Sequence, residues 1–299
     1  MSPERRQRIF RILRLFAGML VFLLLFVPFA LGFVTIWALT NSPCGGGSTP
    51  ASHGMNDYEA VAFASPAFSS DVQGYFVRGT NGATIVIPPA LNAGAGSWRP
   101  EFTVLNRYGY NLFSYESRNC AGAANSLGYL EVEQVGDALN YLAARPDVDM
   151  TKIGIHGFSA GGATSIMAAA RYPELKAVIA MGGYHDFGQI MDEATTSEWF
   201  APLYRAGSRL GYRLATGEDM AVLRPVAAIG RIAPRPVLLI YGTREPSLAG
   251  AYEQQAAAGS NAVLWVIENA THGGYWTTAP EEFEQRVIAF LDAAFGIQR

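Results

Sequence analysis

One serine in a glycine-flanked turn and four histidines bound the chemistry open to this chain. Gly157-Phe158-Ser159-Ala160-Gly161 fits the pattern G-x-S-x-G. A short apolar run, 153–155, leads into it, and a helical stretch, 163–171, follows. Strand, sharp turn, then helix lifts a serine hydroxyl above the end of a sheet. Gly157 and Gly161 stand on either side because such a turn has no room for side chains there. The helix start behind Ser159 favours negative charge developing on a substrate oxygen. A serine hydroxyl is a weak nucleophile, however. It needs a base within hydrogen-bond reach, and the base needs an acid to orient it. A plain Gly/Ser turn opening a helix is the competing reading, so the rest of the chain must supply those partners.

His272, in Thr271-His272-Gly273-Gly274, follows the last strand-like run and comes after the serine, the order such a base takes. His185 also follows a strand and is the second choice. His53 lies in a linker, and His156 sits inside the strand that carries the turn. Glu245, in Gly242-Thr243-Arg244-Glu245-Pro246, lies between serine and histidine at a strand end and is the expected acid, with Asp186 as the alternative. An oxyanion needs two backbone N–H groups. Ala160 supplies one. The other must come from Ala90 or Leu91, because Pro88 and Pro89 have no N–H. The chain contains no C-x-x-C and no H-x-x-x-H, and this chemistry implies no metal and no organic cofactor.

The elements that must hold these groups are legible from periodicity. Runs 58–64, 72–78, 83–87, 110–115, 153–155, 177–181, 237–241 and 262–267 read as eight strands, the first two as an antiparallel edge pair. Ser65-Pro66-Ala67 and Ser69-Ser70-Asp71 are turn material between that pair. Helices are expected at 100–108, 129–144, 163–171, 247–258 and 281–295. Strands alternating with helices imply an α/β fold, with a mostly parallel sheet covered on both faces and its ligands at the strand C-termini. The stretch 188–234 has no strong strand and reads as a small helical lid within a catalytic domain of residues 57–299.

Composition places this domain. Of 299 residues 50% are hydrophobic, enough for one large core. Net charge is −3, yet residues 1–14 hold five arginines and one glutamate, so the body is more acidic still. That argues against a nucleic-acid partner. Residues 15–39 carry no charge, and these 25 residues exceed the ~20 that cross a bilayer as a helix. A cleaved signal peptide is the rival, but its apolar core usually runs about 7–15 residues, and Ile36-Trp37-Ala38 is a poor cleavage site. An uncleaved anchor is expected. The arginines ahead of it put a basic tail, 1–14, in the cytoplasm and the catalytic domain outside. Gly, Ser and Pro in 40–56 read as a flexible tether. An extracytoplasmic setting would allow the two cysteines, Cys44 and Cys120, to pair; two free thiols is the other reading.

The stretch from Asp149 to Gly162 resembles the serine elbow of the α/β-hydrolase superfamily, in its prolyl-oligopeptidase and dipeptidyl-peptidase-like branch and related esterases. Tyr241-Gly242-Thr243-Arg244-Glu245-Pro246 is similar to the acid loop of that branch, with Glu245 where Asp is usual. Thr271-His272-Gly273-Gly274 is similar to its histidine loop. Tyr115-Glu116-Ser117-Arg118-Asn119 resembles its D-x-R-G loop, with Glu116 for Asp. Pro88-Pro89 departs from the His-Gly pair common after the third strand, and no propeller precedes the domain. The resemblance implies a serine hydrolase acting on a small ester or peptide, esters being favoured because no paired carboxylates are evident to grip a peptide N-terminus. Peptidase action, acyl transfer and a non-catalytic binding domain are the alternatives. No oligomeric state is implied.

Overall fold

The computed structural model describes residues 2–66, 68, 71–195 and 198–299. The expected turn residues Ala67, Ser69 and Ser70, and two positions of the expected lid, 196 and 197, lie outside the described residues. Eight strands form one sheet: β1 (Tyr58–Phe63), β2 (Val72–Val77), β3 (Thr84–Ile87), β4 (Asn111–Tyr115), β5 (Ile153–Phe158), β6 (Leu175–Met181), β7 (Val237–Gly242) and β8 (Ala262–Ile267). Their spatial order is β1-β2-β4-β3-β5-β6-β7-β8. β1 and β2 pair antiparallel at one edge, β2 joins β4 antiparallel, and all other pairings are parallel.

Alternate residues of the central strands feed two cores, as the two-residue period of a strand requires. Val178 and Ala180 of β6, with Val237 and Leu239 of β7, pack on one face. Against them lie α3 (Glu131–Ala143), α4 (Ala160–Arg171) and α8 (Leu248–Ala258). Ala177, Ile179, Leu238 and Ile240 point the other way, toward α2 (Pro100–Arg107) and α10 (Pro280–Phe295). The strands β3 and β7 are buried at every position, as their almost unbroken apolar sequences require, whereas the equally apolar β8 lies at the sheet edge and exposes Val263. β5 runs on to Phe158, past the expected end at 155, so the serine follows the strand directly. The expected helix start at 163 moves to Ala160 for the same reason. A one-turn helix, α9 (Tyr275–Thr278), is not visible in the periodicity because it is too short to show any.

Where a helical lid is expected over 188–234, the described residues form α5 (Phe187–Thr195), α6 (Ala201–Thr216), α7 (Pro225–Ala228) and short 3-10 turns above the strand C-termini. The N-terminal segment is one helix, α1 (Pro3–Thr40), longer than the uncharged stretch because the arginine-bearing turns join it. It is the one helix among the described residues long and apolar enough to cross a membrane. It is not exposed all round. Pro28, Gly32, Ile36 and Thr40, spaced by four, are buried, and this stripe packs along α6. The approach is close: a Cβ on Gly32 would collide with the Tyr204 carbonyl, and one on Gly207 with that of Phe29.

The segment expected to be a flexible tether is laid along the domain. Cys44 and Cys120 form a disulfide. The Gly45 N–H donates to the Asn92 carbonyl (2.6 Å) and Ser48 N–H to that of Gly96 (2.9 Å), while Asn119 Nδ2 reaches the Ser42 carbonyl (2.8 Å). Composition predicted flexibility because Gly and Ser bury little surface. Here backbone hydrogen bonds and a cross-link hold them. Closing a loop of 76 residues is worth about 4 kcal/mol in the chain-entropy account. The double variant C44S/C120S should therefore unfold at markedly lower denaturant, as should the reduced wild type, and an unchanged midpoint would refute this.

Candidate active site

Ser159 follows the last residue of β5 and caps the start of α4. Its φ of 57° and ψ of −122° are a strained combination for a residue with a side chain. The surroundings enforce it. Ser159 N–H donates to the Met181 carbonyl (2.8 Å), the Ser159 carbonyl accepts from Gly162 and Ala163 N–H, and a Cβ on Gly157 would collide with the Gly161 carbonyl. The sharpness that the sequence implied at Gly157 and Gly161 is thus a backbone contact.

The structure brings Ser159, His272 and Glu245 together. His272 Nε2 lies 3.1 Å from Ser159 Oγ, and His272 Nδ1 lies 2.9 Å from Glu245 Oε2. The Glu245 side chain is fully buried while that of His272 is 47% exposed. A buried carboxylate needs partners. Glu245 has the Gly242 N–H on Oε1 (2.6 Å), and Oε2 faces the imidazole, with Ser247 Oγ at 3.4 Å. A carboxylate so held accepts a hydrogen bond from Nδ1–H and leaves Nε2 free to accept one from Ser159 Oγ.

The alternatives stay apart. Asp186 Oδ2 pairs with Arg224 Nε (2.7 Å), and its Oδ1 accepts from the Gln189 N–H (2.9 Å), capping α5. His185 is buried against Gly250 of α8, 3.8 Å from Glu253. Sequence order could not exclude either, since both follow β6 at the correct end of the sheet; the rotation of the chain after Gly182 turns them away. His53 bonds Ser48 in the tether.

Among the described residues, the N–H groups of Ala160, Ala90 and Leu91 have no protein acceptor. The Pro88 and Pro89 carbonyls abut Gly161, where a Cβ would come within 2.6 Å of the first. The diproline thus presses against the elbow, and Ala90 and Leu91 follow it immediately.

Three residues that sequence reasoning passed over complete the site. Gly182 has φ +58°, and a Cβ on it would run into the Tyr275 hydroxyl and lie 2.9 Å from His272 Nδ1. Tyr275 is buried, which, with Glu245 nearby, raises its pKa and keeps the phenol protonated. Arg99 lies over the Phe158 ring (4.1 Å) and donates to the Gly273 carbonyl (2.7 Å). The ring of Phe158 in turn meets that of His272 at 4.8 Å. Arg99 therefore ties the histidine loop to the elbow. Nothing marks it in the sequence, because its partners are 59 and 174 residues away.

A cavity of about 420 Å³ opens at Ser159 and His272. Gly182, Tyr184 and Pro246 form its sides, and Ile190 and Glu193 of α5 reach it from the lid. Among the described residues no group of three or more His, Cys, Asp or Glu side chains is placed to hold a metal ion.

His156, one strand position from Gly157, is fully buried, edge-on to Phe102 at 5.0 Å, and neither ring nitrogen has a protein partner. Burial, with the Arg99 charge adding, depresses its pKa from 6.5 to about 3. A histidine depressed in the folded state takes its proton more readily when unfolded. Stability is therefore full above pH 6.5 and is lost as pH falls toward 3, by roughly 3 kcal/mol at pH 4.5. Urea titrations across this range should show that slope in the wild type and a shallower one in His156→Gln. Equal slopes would remove His156 as the cause.

Comparison with known proteins gives the site its setting. The prolyl oligopeptidase family profile matches residues 119–298. No curated protein matches the chain. Among solved structures, an esterase from Pyrococcus furiosus aligns with a TM-score of 0.67 at 19% identity, covering 86% of this chain and 98% of its own. An α/β hydrolase from Penicillium sp. sh18 aligns at 0.63 and 15% identity, covering 80% and 99%. A puromycin-hydrolyzing peptidase from Mycobacterium tuberculosis aligns at 0.62 and 19% identity, covering 81% of this chain and 40% of its own. At such identities the likeness shows the α/β-hydrolase fold.

Proposed function

We propose, from the premise that the chain belongs to the prolyl oligopeptidase family of α/β hydrolases and is at class level a serine hydrolase, that it cleaves small carboxylic esters through an acyl-enzyme on Ser159. The observation that carries this is the relay Ser159 Oγ, His272, Glu245, with its 3.1 and 2.9 Å links. Ser159 Oγ attacks the carbonyl carbon as His272 Nε2 takes its proton. The tetrahedral oxyanion turns to the N–H of Ala160 and to that of Ala90 or Leu91. His272 then protonates the leaving alcohol, and a water activated by the same imidazole releases the acid. Donors to the oxyanion strengthen as charge develops, and Glu245 stabilises the imidazolium that forms between the two steps.

Esters are favoured over peptides because, among the described residues, Glu193 is the one carboxylate lining the cavity. Glu193 also supports the second reading, an exopeptidase gripping a protonated amine. A panel of p-nitrophenyl acyl esters set against aminoacyl anilides decides between them. Ester turnover well above anilide turnover is the expected result; the reverse would give the peptidase reading, and failure of both would favour a binding domain on this fold.

We further read α1 as an uncleaved anchor with its basic end in the cytoplasm and the domain outside. Support comes from the buried stripe on α6, from the Asn125 N–H donating to the Thr40 carbonyl (2.8 Å), and from the disulfide four residues beyond the helix end. A leader destined for removal has no need of a fitted seat on the domain it leaves.

A further inference from the structure

The length of α1 and the position of its seat on α6 together set how deep the lid lies. Only 13 uncharged residues, 15–27, precede Pro28, the first residue buried on α6. At 1.5 Å each they span roughly 20 Å. A bilayer core is ~30 Å thick. The span is completed only if the turns around Phe29, Gly32 and Phe33 also enter the lipid, and those turns carry α6 against them. Gly207 meets the Phe29 backbone and Gly211 that of Phe33, so the two helices run parallel, with the start of α6 toward the membrane.

The exposed side of α6 suits that depth. Leu203, Ala206, Leu210 and Leu214 recur at helical spacing on one stripe, with Leu210 41% and Leu214 62% exposed, and Trp199 just before the helix is 66% exposed. The deepest arginine of the helix does not share the stripe. Arg205 Nε pairs with Asp192 Oδ1 (3.1 Å) and bonds Thr195 Oγ1 (3.0 Å), so it enters a low-dielectric region with its counter-charge. Arg209, one turn higher, also faces Asp192 (4.0 Å), and Arg213 lies a further turn up, toward the headgroups, where cations are favourable.

We propose that α6 is seated in the outer leaflet beside α1, its stripe of Leu203, Ala206, Leu210 and Leu214 against lipid, so that the lid over Ser159 is held at the bilayer surface. This rests on the anchor reading above. The test uses the full chain in phosphatidylcholine/phosphatidylglycerol vesicles. Both native cysteines are in the disulfide, so a single new thiol can be labelled. Ala206→Cys, Leu210→Cys and Leu214→Cys are each labelled with NBD, with Val21→Cys in the span and Val263→Cys on β8 as references. Fluorophosphonate labelling of each variant verifies that it is folded. The expected result is blue-shifted emission at positions 206 and 210, quenched by brominated lipid, with quenching falling in the order 206, 210, 214 and absent at 263. Quenching at 21 but not at 206 and 210 overturns the proposal alone. Absence of quenching at 21 overturns the anchor reading and the proposal with it. A blue shift at 210 that follows protein concentration, with no lipid quenching, assigns the stripe to a second copy of the chain and also overturns it.

Discussion

Ser159→Ala is expected to abolish labelling by a fluorophosphonate and to lower ester turnover by about 10⁴- to 10⁶-fold, as loss of a nucleophile does where base and oxyanion donors remain. The geometry makes this variant clean. Ser159 Oγ is the atom that faces His272 Nε2, while the strained backbone at this position is held by the Met181 carbonyl and by the N–H groups of Gly162 and Ala163, which bond the main chain. Alanine keeps those bonds, so the fold and its melting temperature should survive. The residual rate reports what Ala160 and the loop after Pro89 supply without a nucleophile. Labelling of the variant equal to wild type would mean that another hydroxyl is modified and that the elbow is a structural turn.

Glu245→Gln is expected to reduce turnover about 10³- to 10⁴-fold, because an amide can present its NH₂ to Nδ1 and hold the wrong tautomer. Asp186→Asn is expected to stay within a few-fold of wild type. Asparagine still caps α5 at Gln189, and what it loses is an ion pair to Arg224, whose side chain is 55% exposed, a pair worth little in solvent. Steady-state kinetics on both variants with one ester settles the acid. Equal losses in the two, or a larger loss at Asp186, would move the acid to the β6 loop and contradict the 2.9 Å contact at His272.

The two acids show where sequence reasoning reaches and where it stops. Both Glu245 and Asp186 follow a parallel strand at its C-terminal end, between serine and histidine in order. Position along the chain says which end of the sheet a residue occupies. It says nothing about rotation at the strand end, and that rotation aims Glu245 at the imidazole and Asp186 at Arg224. The tether shows the same limit. Its Gly and Ser content reads correctly as weak local structure, but whether such a stretch moves depends on what lies beside it, here Asn92, Gly96 and Cys120.

By itself the sequence determined eight strands alternating with helices, the sharp turn at Ser159, and a segment apolar enough to span a membrane, and it ranked His272 ahead of His185. Each of these is written in local terms: two- and four-residue periodicities, glycines flanking a sharp turn, the order of strand ends. Only the tertiary structure placed Glu245, and not Asp186, beside His272, and left the space at Gly182 next to them. It alone joined Arg99 to the elbow and the histidine loop, and seated α1 on α6. These depend on contacts between residues tens to more than a hundred positions apart, which packing selects and no local pattern encodes. The apolar helix is the clearest instance. Its length was plain from the sequence, but its seat on α6 follows only from which four of its residues are covered.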